Sequence, residues 1–241
     1  MCDTLDLNGA TCVFLGYSGG GLLDCTNCMF DVSNCVTTSS LTVTGQTSSY
    51  GTGSDGYVQA GAPFLLTDNS DGTITDQNTG LMWEKKKASG AGLHHVDESF
   101  TWCEDSAPVD GTCDNGLGFD ETVVSVFLAT LNDVAGAGAN CFAGHCDWRL
   151  PNYKELVTIL HLDCAVPTIS EEFHHTLSCN AGCFNVTLST CSCTSPRSYW
   201  TSTVNFSAIG GEAWMADFMN GEIFSQGITV GHRARAVRGG L

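Results

Sequence analysis

The sequence predicts an α+β domain carried behind a small disulfide-rich N-terminal module, and three observations lead there. Strand signals open and close residues 61–241, and two helical stripes lie between them. Asx- and Gly-rich turns punctuate the strand regions at hairpin spacing. Cysteine, 14 in 241 residues, is dense where apolar residues are too few to build a core.

Residues 1–36 hold Cys2, Cys12, Cys25, Cys28 and Cys35 around Gly19-Gly20-Gly21, with no Lys or Arg. Such a segment is held by bridges rather than by packing. Five is odd, so one thiol pairs outside the segment or stays free. Residues 37–60 are rich in Ser, Thr and Gly and read as a flexible linker with one short strand at residues 41–43. Phe64-Leu65-Leu66, the turn from Asp68 to Gly72, and Thr73-Ile74-Thr75 then read as strand, turn and strand. Leu81-Met82-Trp83 closes the hairpin with a buried aromatic. A first helix is expected over residues 121–134, from Val123, Val124, Phe127, Leu128 and Leu131 at helical spacing. A second follows Pro151, with Tyr153, Leu156, Val157 and Leu160 as one apolar stripe. Residues 199–203, 213–218, 221–224 and 235–237 are strand-like, and Met219-Asn220-Gly221 supplies a hairpin turn. The two ends of the domain are expected to pair in one sheet.

Composition narrows function. Fourteen cysteines against four lysines fit an oxidising compartment, secreted or at the cell surface, where disulfides persist. Zinc is the rival use, because Cys25-x-x-Cys28 and the group Cys179, Cys183, Cys191 and Cys193 are close enough to bind metal, although no second knuckle stands at finger spacing. Cys103–Cys113 and Cys141–Cys146 are expected as local bridges, with Cys164, Cys179, Cys183, Cys191 and Cys193 crowded around one loop. A net charge of −17 argues against nucleic acid or an anionic membrane as partner. No apolar run approaches the roughly 20 residues that span a bilayer. Met1 leads into Cys2 and Asp3 with no basic or apolar leader, so a truncated or mature form is expected.

Four stretches carry a resemblance: residues 68–83 (DNSDGTITDQNTGLMW), 147–156 (DWRLPNYKEL), 199–203 (YWTST) and 235–240 (RAVRGG). Together they resemble the bacterial family of the C-terminal domain of a Legionella collagen-like adhesin, over about residues 60–241. The resemblance implies a C-type-lectin-like domain with two helices and a mixed or antiparallel sheet. That fold is also used by formylglycine-generating enzymes and by the variable proteins of diversity-generating retroelements. Residues 1–36 resemble the latter part of a cysteine-rich module of myxobacterial surface proteins, without its usual opening. The organisation implied is a partial module at 1–36, a linker at 37–60 and the lectin-like domain at 61–241.

The function implied is recognition or adhesion, with a surface protein or glycan bound through the C-terminal loops, the part that is diversified in the retroelement proteins. The expected ligand-binding residues are Asn205, Phe206, Asn220, Glu222, Gln226 and His232, while Trp214 and Phe218 are expected to pack in the core. The alternative is a structural subunit of a surface appendage or sheath, with self-association through the module. An enzyme of the formylglycine-generating type is disfavoured, because no thiol has a basic neighbour and no catalytic motif is present.

Asp68, Asp71 and Asp76, with Asn69 and Asn78, could supply oxygen ligands to calcium, but their spacing is not that of an EF-hand and Asx turns use the same residues. No Glu-Pro-Asn or Gln-Pro-Asp tripeptide supports calcium-dependent sugar binding. His94-His95 and His174-His175 read as surface pairs. Arg149 reads as holding buried carbonyls. Lys85-Lys86-Lys87 with Arg233, Arg235 and Arg238 reads as a solvated loop plus strand-end arginines, or else as a basic patch.

Overall fold

The computed structural model describes residues 41–102, 122–205 and 211–240, together with Leu23 and four short strands between residues 20 and 36. Those strands are β1 (Gly20–Gly21), β2 (Asp24–Thr26), β3 (Met29–Asp31) and β4 (Cys35–Val36). They pair as two antiparallel ribbons, β1 with β4 and β2 with β3. The rest is a mixed fold of short helices and antiparallel sheet, stapled by disulfides.

Residues 41–62 lie along the domain. Val43 N–H donates to the Ala62 carbonyl (2.9 Å), Leu162 N–H donates to Thr44 (2.8 Å), and the Asp163 carboxylate accepts from Thr47 and Ser48. One turn of helix, α1 (Asp55–Val58), sits within this stretch.

A meander follows: β5 (Leu66–Asp68), β6 (Thr73–Asp76) and β7 (Leu81–Glu84). Its first turn is an Asx turn, with Asp68 Oδ1 accepting from Ser70 N–H (2.7 Å) and Asp71 Oδ1 from Thr73 N–H (3.0 Å). Gly72 takes φ 100° there, and a Cβ would come within 3.0 Å of the Phe142 ring.

The first predicted helix is wound as a π-helix over Val123–Leu128 and ends in a single α-turn, α2 (Ala129–Leu131). Val123, Phe127 and Leu131 are buried, as their spacing predicts, whereas Glu121 and the Val124 side chain lie outside the described residues. Asn132 ends the helix and clamps the following loop. Its side chain donates to the Trp148 carbonyl (2.8 Å) and accepts from Trp148 N–H (2.7 Å), which fixes Trp148 and Leu150 in the core.

The second helix, α3 (Tyr153–Val157), opens with a capping box in which Asn152 and Glu155 satisfy each other's backbone N–H groups. Its buried stripe is Leu156, Ile159 and Leu160, while Tyr153 and Val157 are partly exposed. The predicted stripe is therefore rotated, because the helix ends at Val157 and the chain turns inward beyond it. Another short helix, α4 (Thr176–Asn180), carries the first cysteine of the stapled loop.

β8 (Ser198–Asn205), β9 (Glu212–Asp217) and β10 (Ile223–Gly227) form a separate three-stranded antiparallel sheet. β11 (Val237–Gly239) instead joins β7, giving the order β11-β7-β6-β5. The chain end does meet the first meander, as expected, but β8–β10 are not part of that sheet. An isolated bridge, Tyr199 to Arg233, ties β8 to the run that precedes β11.

Alternation along β8 predicts that only one of Tyr199 and Trp200 points inward, yet both are fully buried. The three-stranded sheet is covered on both faces. Trp200, Ala213 and Met215 pack with Phe100, Phe127, Trp148 and Ile228 on one side. Tyr199 and Ala216 pack with Trp83, Leu156, Phe173 and Phe218 on the other.

Candidate binding site

The basic residues are not where a solvated loop would put them. Lys85 and Lys86 continue straight on from β7 and are 0% and 2% exposed, and Arg235 is also fully buried. Lys85 Nζ pairs with Asp68 Oδ2 (2.5 Å) and donates to the Leu188 carbonyl (2.8 Å). Lys86 Nζ pairs with Glu84 Oε1 (2.9 Å) and lies 4.4 Å from the centre of the Phe127 ring. The Glu84 carboxylate also meets His94 Nδ1 (2.7 Å) and accepts from Ala236 N–H (3.0 Å). Burial pushes the Glu84 carboxyl up, but Lys86 and His94 outweigh it and hold Glu84 below the usual carboxylate range. The Arg235 guanidinium donates to the carbonyls of Glu84 (2.8 Å) and Cys193 (2.9 Å) and to Thr194 Oγ1 (2.8 Å), above the Phe173 ring.

The same C-terminal run builds a surface feature. Ala234 and Ala236 enter the first core cluster, while Arg233 lines the surface and Arg235 is buried in the ionic network. Arg233 N–H donates to the Ser198 carbonyl (3.1 Å) and Trp200 N–H to the Arg233 carbonyl (2.9 Å), which fixes this run against β8. An open cleft of about 340 Å³ results, lined by Pro196, Arg197, Ser198, Asp217, Met219, Gly231, His232 and Arg233. Asp217 organises its floor, accepting from Met219 N–H (2.7 Å) and Ser198 Oγ (3.0 Å). Arg197 stands exposed on the rim, and Arg233 reaches Asp97 at 3.4 Å. The Nε2 of His232 and the Nε of Arg233 are both shielded without a hydrogen-bond partner. Burial and the neighbouring Arg233 push the His232 imidazole below its ordinary value, so it is neutral near pH 7.

A family model for the Lcl C-terminal domain matches residues 72–238. The chain belongs to this family. No curated protein and no solved structure matches the chain. In this Lcl C-terminal domain, the match begins at the turn before β6 and ends in β11, so it includes the cleft, both core clusters and the buried ionic network apart from Asp68. The family is adhesin-like and is not known as enzymatic.

Within the Lcl C-terminal domain the sequence-predicted residues fall at two ends of the β8–β10 sheet. His232 lines the cleft, and Asn220 and Glu222 are exposed beside it in the β9–β10 hairpin. Asn205 lies at the far end, where its amide donates to Ser225 Oγ (2.9 Å) and Glu212 (3.3 Å), and Gln226 is one residue from that cluster. Phe206 lies outside the described residues, as do Cys103 and Cys113. Phe218 is buried, and Trp214 is half-buried against Tyr153, with ring centres 6.4 Å apart.

Asp68, Asp71 and Asp76 serve the chain itself. Asp68 holds Ser70 and Lys85, Asp71 holds Thr73, and Asp76 accepts from Asn78 N–H (2.9 Å) and Thr79 Oγ1 (2.7 Å). They do not gather as a ligand cluster. Among the described residues the one grouping of three or more potential metal ligands is Cys179, Cys183 and Cys193. The sulfurs there are bonded as Cys179–Cys193 and Cys183–Cys191, and Cys141 is bonded to Cys146. Cys164 is free and stands apart from the loop in which it was expected to crowd. Burial, reinforced by Asp163, Glu171 and Glu172, pushes its thiol up.

The histidines and arginines read as surface groups are also engaged. His94 stacks on Phe142 (4.4 Å) beside Glu84, and His174 Nδ1 accepts from Thr194 N–H (3.1 Å). Arg149 holds the Glu155 carboxylate through two bonds (2.7 and 2.8 Å) and also the Gly239 carbonyl (3.1 Å), so its main partner is acidic. Arg238 pairs with Asp147 (2.6 Å).

Arg197, Arg233 and Asp217 were missed as cleft residues. The available signal is that two of the chain's nine basic residues flank strand segments in a strongly acidic protein.

Proposed function

We propose that this chain is an extracellular recognition or adhesion protein that binds a surface protein or glycan in the Arg197–Arg233–His232 cleft. On this reading the fold is C-type-lectin-like, the protein is secreted or held at the cell surface, and no reaction is catalysed. The organisation proposed is a module at 1–36, a linker at 37–60 and the binding domain at 61–241. The observation that carries the reading is an open polar cleft with exposed Arg197 on its rim and Arg233 and His232 in its wall. The disulfides and the adhesin-like family support an oxidising, outward-facing location.

Arrays of glycans and cell-surface proteins, probed with the full chain, test the reading. Arg197→Glu should abolish retention with no change in thermal stability, because Arg197 is exposed. Gln226→Ala, at the far end of the sheet, should leave binding intact. Loss of binding in Gln226→Ala but not in Arg197→Glu would place recognition elsewhere and refute the cleft.

A second reading, a subunit of a surface appendage, is favoured by the exposed Leu177, Phe184 and Leu188 on the stapled loop. Sedimentation at rising concentration separates the two, because a soluble monomer counts against assembly.

A further inference from the structure

We propose that Cys179, Cys183, Cys191 and Cys193, when reduced, form a site for one soft tetrahedral divalent cation, zinc being the best match. Two independent staples have no need to touch, yet these two do. The Sγ atoms of Cys179, Cys183 and Cys193 lie within 4.8 Å of one another, and the fourth sulfur, Cys191, is bonded to Cys183. The non-bonded pair Cys183 and Cys193 is 3.1 Å apart. Four thiolates around zinc, at Zn–S of about 2.3 Å, require sulfurs about 3.8 Å apart, so the knot needs to open only slightly. Tetrahedral four-sulfur sites select zinc among the common divalent ions.

The surroundings supply an independent argument, from charge. Three buried cations, Lys85, Lys86 and Arg235, have two carboxylates in ion-pair contact, Asp68 and Glu84, with Glu98 acting on Lys86 from farther off. Among the described residues Arg235 has no carboxylate in ion-pair contact, and its Nε has no partner. Arg235 and Lys85 reach the stapled loop through their charged groups, and Lys86 reaches it only through its backbone. Arg235 donates to the Cys193 carbonyl, Lys85 donates to the Leu188 carbonyl, and the Lys86 carbonyl accepts from Cys193 N–H (2.9 Å). The disulfide form is neutral, whereas a zinc–tetrathiolate centre carries two negative charges beside Arg235.

The conversion balances with an external dithiol as reductant. Each S–S bond takes up two electrons and two protons as a dithiol closes to its own disulfide. The four thiols then release four protons as the cation binds. Half-buried Cys179 and Cys183 give the reductant access, while Cys191 and Cys193 form the buried side.

Cobalt(II) titration of the full chain, reduced with a phosphine under anaerobic conditions, tests the site. One equivalent should produce the visible and near-ultraviolet bands of a tetrahedral cobalt–thiolate centre, and zinc should displace it. A variant with serine at these four positions should lose that equivalent, whereas serine at Cys141 and Cys146 should leave it. Arg235→Met should weaken zinc affinity by about 10–100-fold. If reduction loosens the loop, zinc must restore its protection from proteolysis. Absence of stoichiometric uptake, bands that survive the four-serine change, or failure of zinc to protect the reduced loop would each overturn the proposal.

Discussion

Glu84→Gln should be among the most damaging conservative substitutions in this domain. The carboxylate is fully buried and touches Lys86 Nζ (2.9 Å), His94 Nδ1 (2.7 Å) and Ala236 N–H (3.0 Å). An amide keeps the shape and an acceptor for Ala236, but it removes the charge that neutralises Lys86. That ammonium would then be left with the Leu93 carbonyl (3.2 Å) and the face of Phe127. Breaking a buried pair by removing one partner costs about 3–5 kcal/mol. At about 2–4 °C per kcal/mol for a domain of this size, Tm should fall by roughly 6–20 °C. Urea melts of the oxidised chain should show a lower midpoint with an unchanged slope. Adding Lys86→Met removes the stranded charge, so the double variant should be more stable than the sum of the singles predicts, with a coupling of about 1–3 kcal/mol. A loss below about 1 kcal/mol for Glu84→Gln, additive with Lys86→Met, would show that the pair is not a working element of the core.

Two other outcomes follow from the same structure. Serine at both Cys141 and Cys146 opens a bridge of sequence separation 5, for which loop closure gives a loss of about 2 kcal/mol, readable as a lower urea midpoint; an unchanged midpoint would mean the loop is fixed by Asn132 and Trp148 alone. Stability should also fall with acid. Burial holds the imidazoles of His174 and His232 below their ordinary value, so below about pH 6.5 the unfolded chain takes up protons that the folded chain refuses. Stability is therefore fully present above that pH and is lost as pH drops through the folded values. The Glu84 limb, lowered from its ordinary 4.5, comes later. A Tm that is flat between about pH 7.5 and 5.5 would contradict the histidine part.

What could be read in the sequence was whatever rests on neighbours in the chain. The Asx turn at Asp68–Gly72, the Trp83 hairpin, the helix start after Pro151 and the strand run through Tyr199 and Trp200 are local patterns, and all have counterparts in the structure. Lys85 and Lys86 were misread because burial of a lysine depends on a carboxylate supplied from elsewhere. Asp68 lies 17 residues away from Lys85, and the arginine that completes the network lies 151 residues from Glu84. The one local hint is that Glu84 precedes the lysines without any turn residue to lead them out of the strand. Arg149 was half legible. Its Glu155 partner is also the capping-box residue of α3, and one carboxylate with two roles looks like one role in sequence. The cleft could not be read, because it is assembled from residues 196–198, the 217–219 turn and the 231–233 run, none of which has a motif of its own.

The final run of the chain fastens the cleft to a rigid body. Gly231, His232 and Arg233 form a wall of the cleft, Arg235 enters the ionic network, and β11 pairs with β7. Arg233 at the cleft wall and Arg235 in the network are two residues apart, so a shift of the wall disturbs Arg235. Across the cleft, the turn at Met219 and Asn220 is held by other means. Asp217 accepts from Met219 N–H, Asn220 Oδ1 accepts from Glu222 N–H (3.1 Å), and Phe218 is buried behind it. The side chains of Met219 and Glu222 are exposed and contribute nothing to that scaffold. Substitution there should cost little stability while changing what the cleft presents, and a recognition surface requires that division between fixed backbone and free side chains.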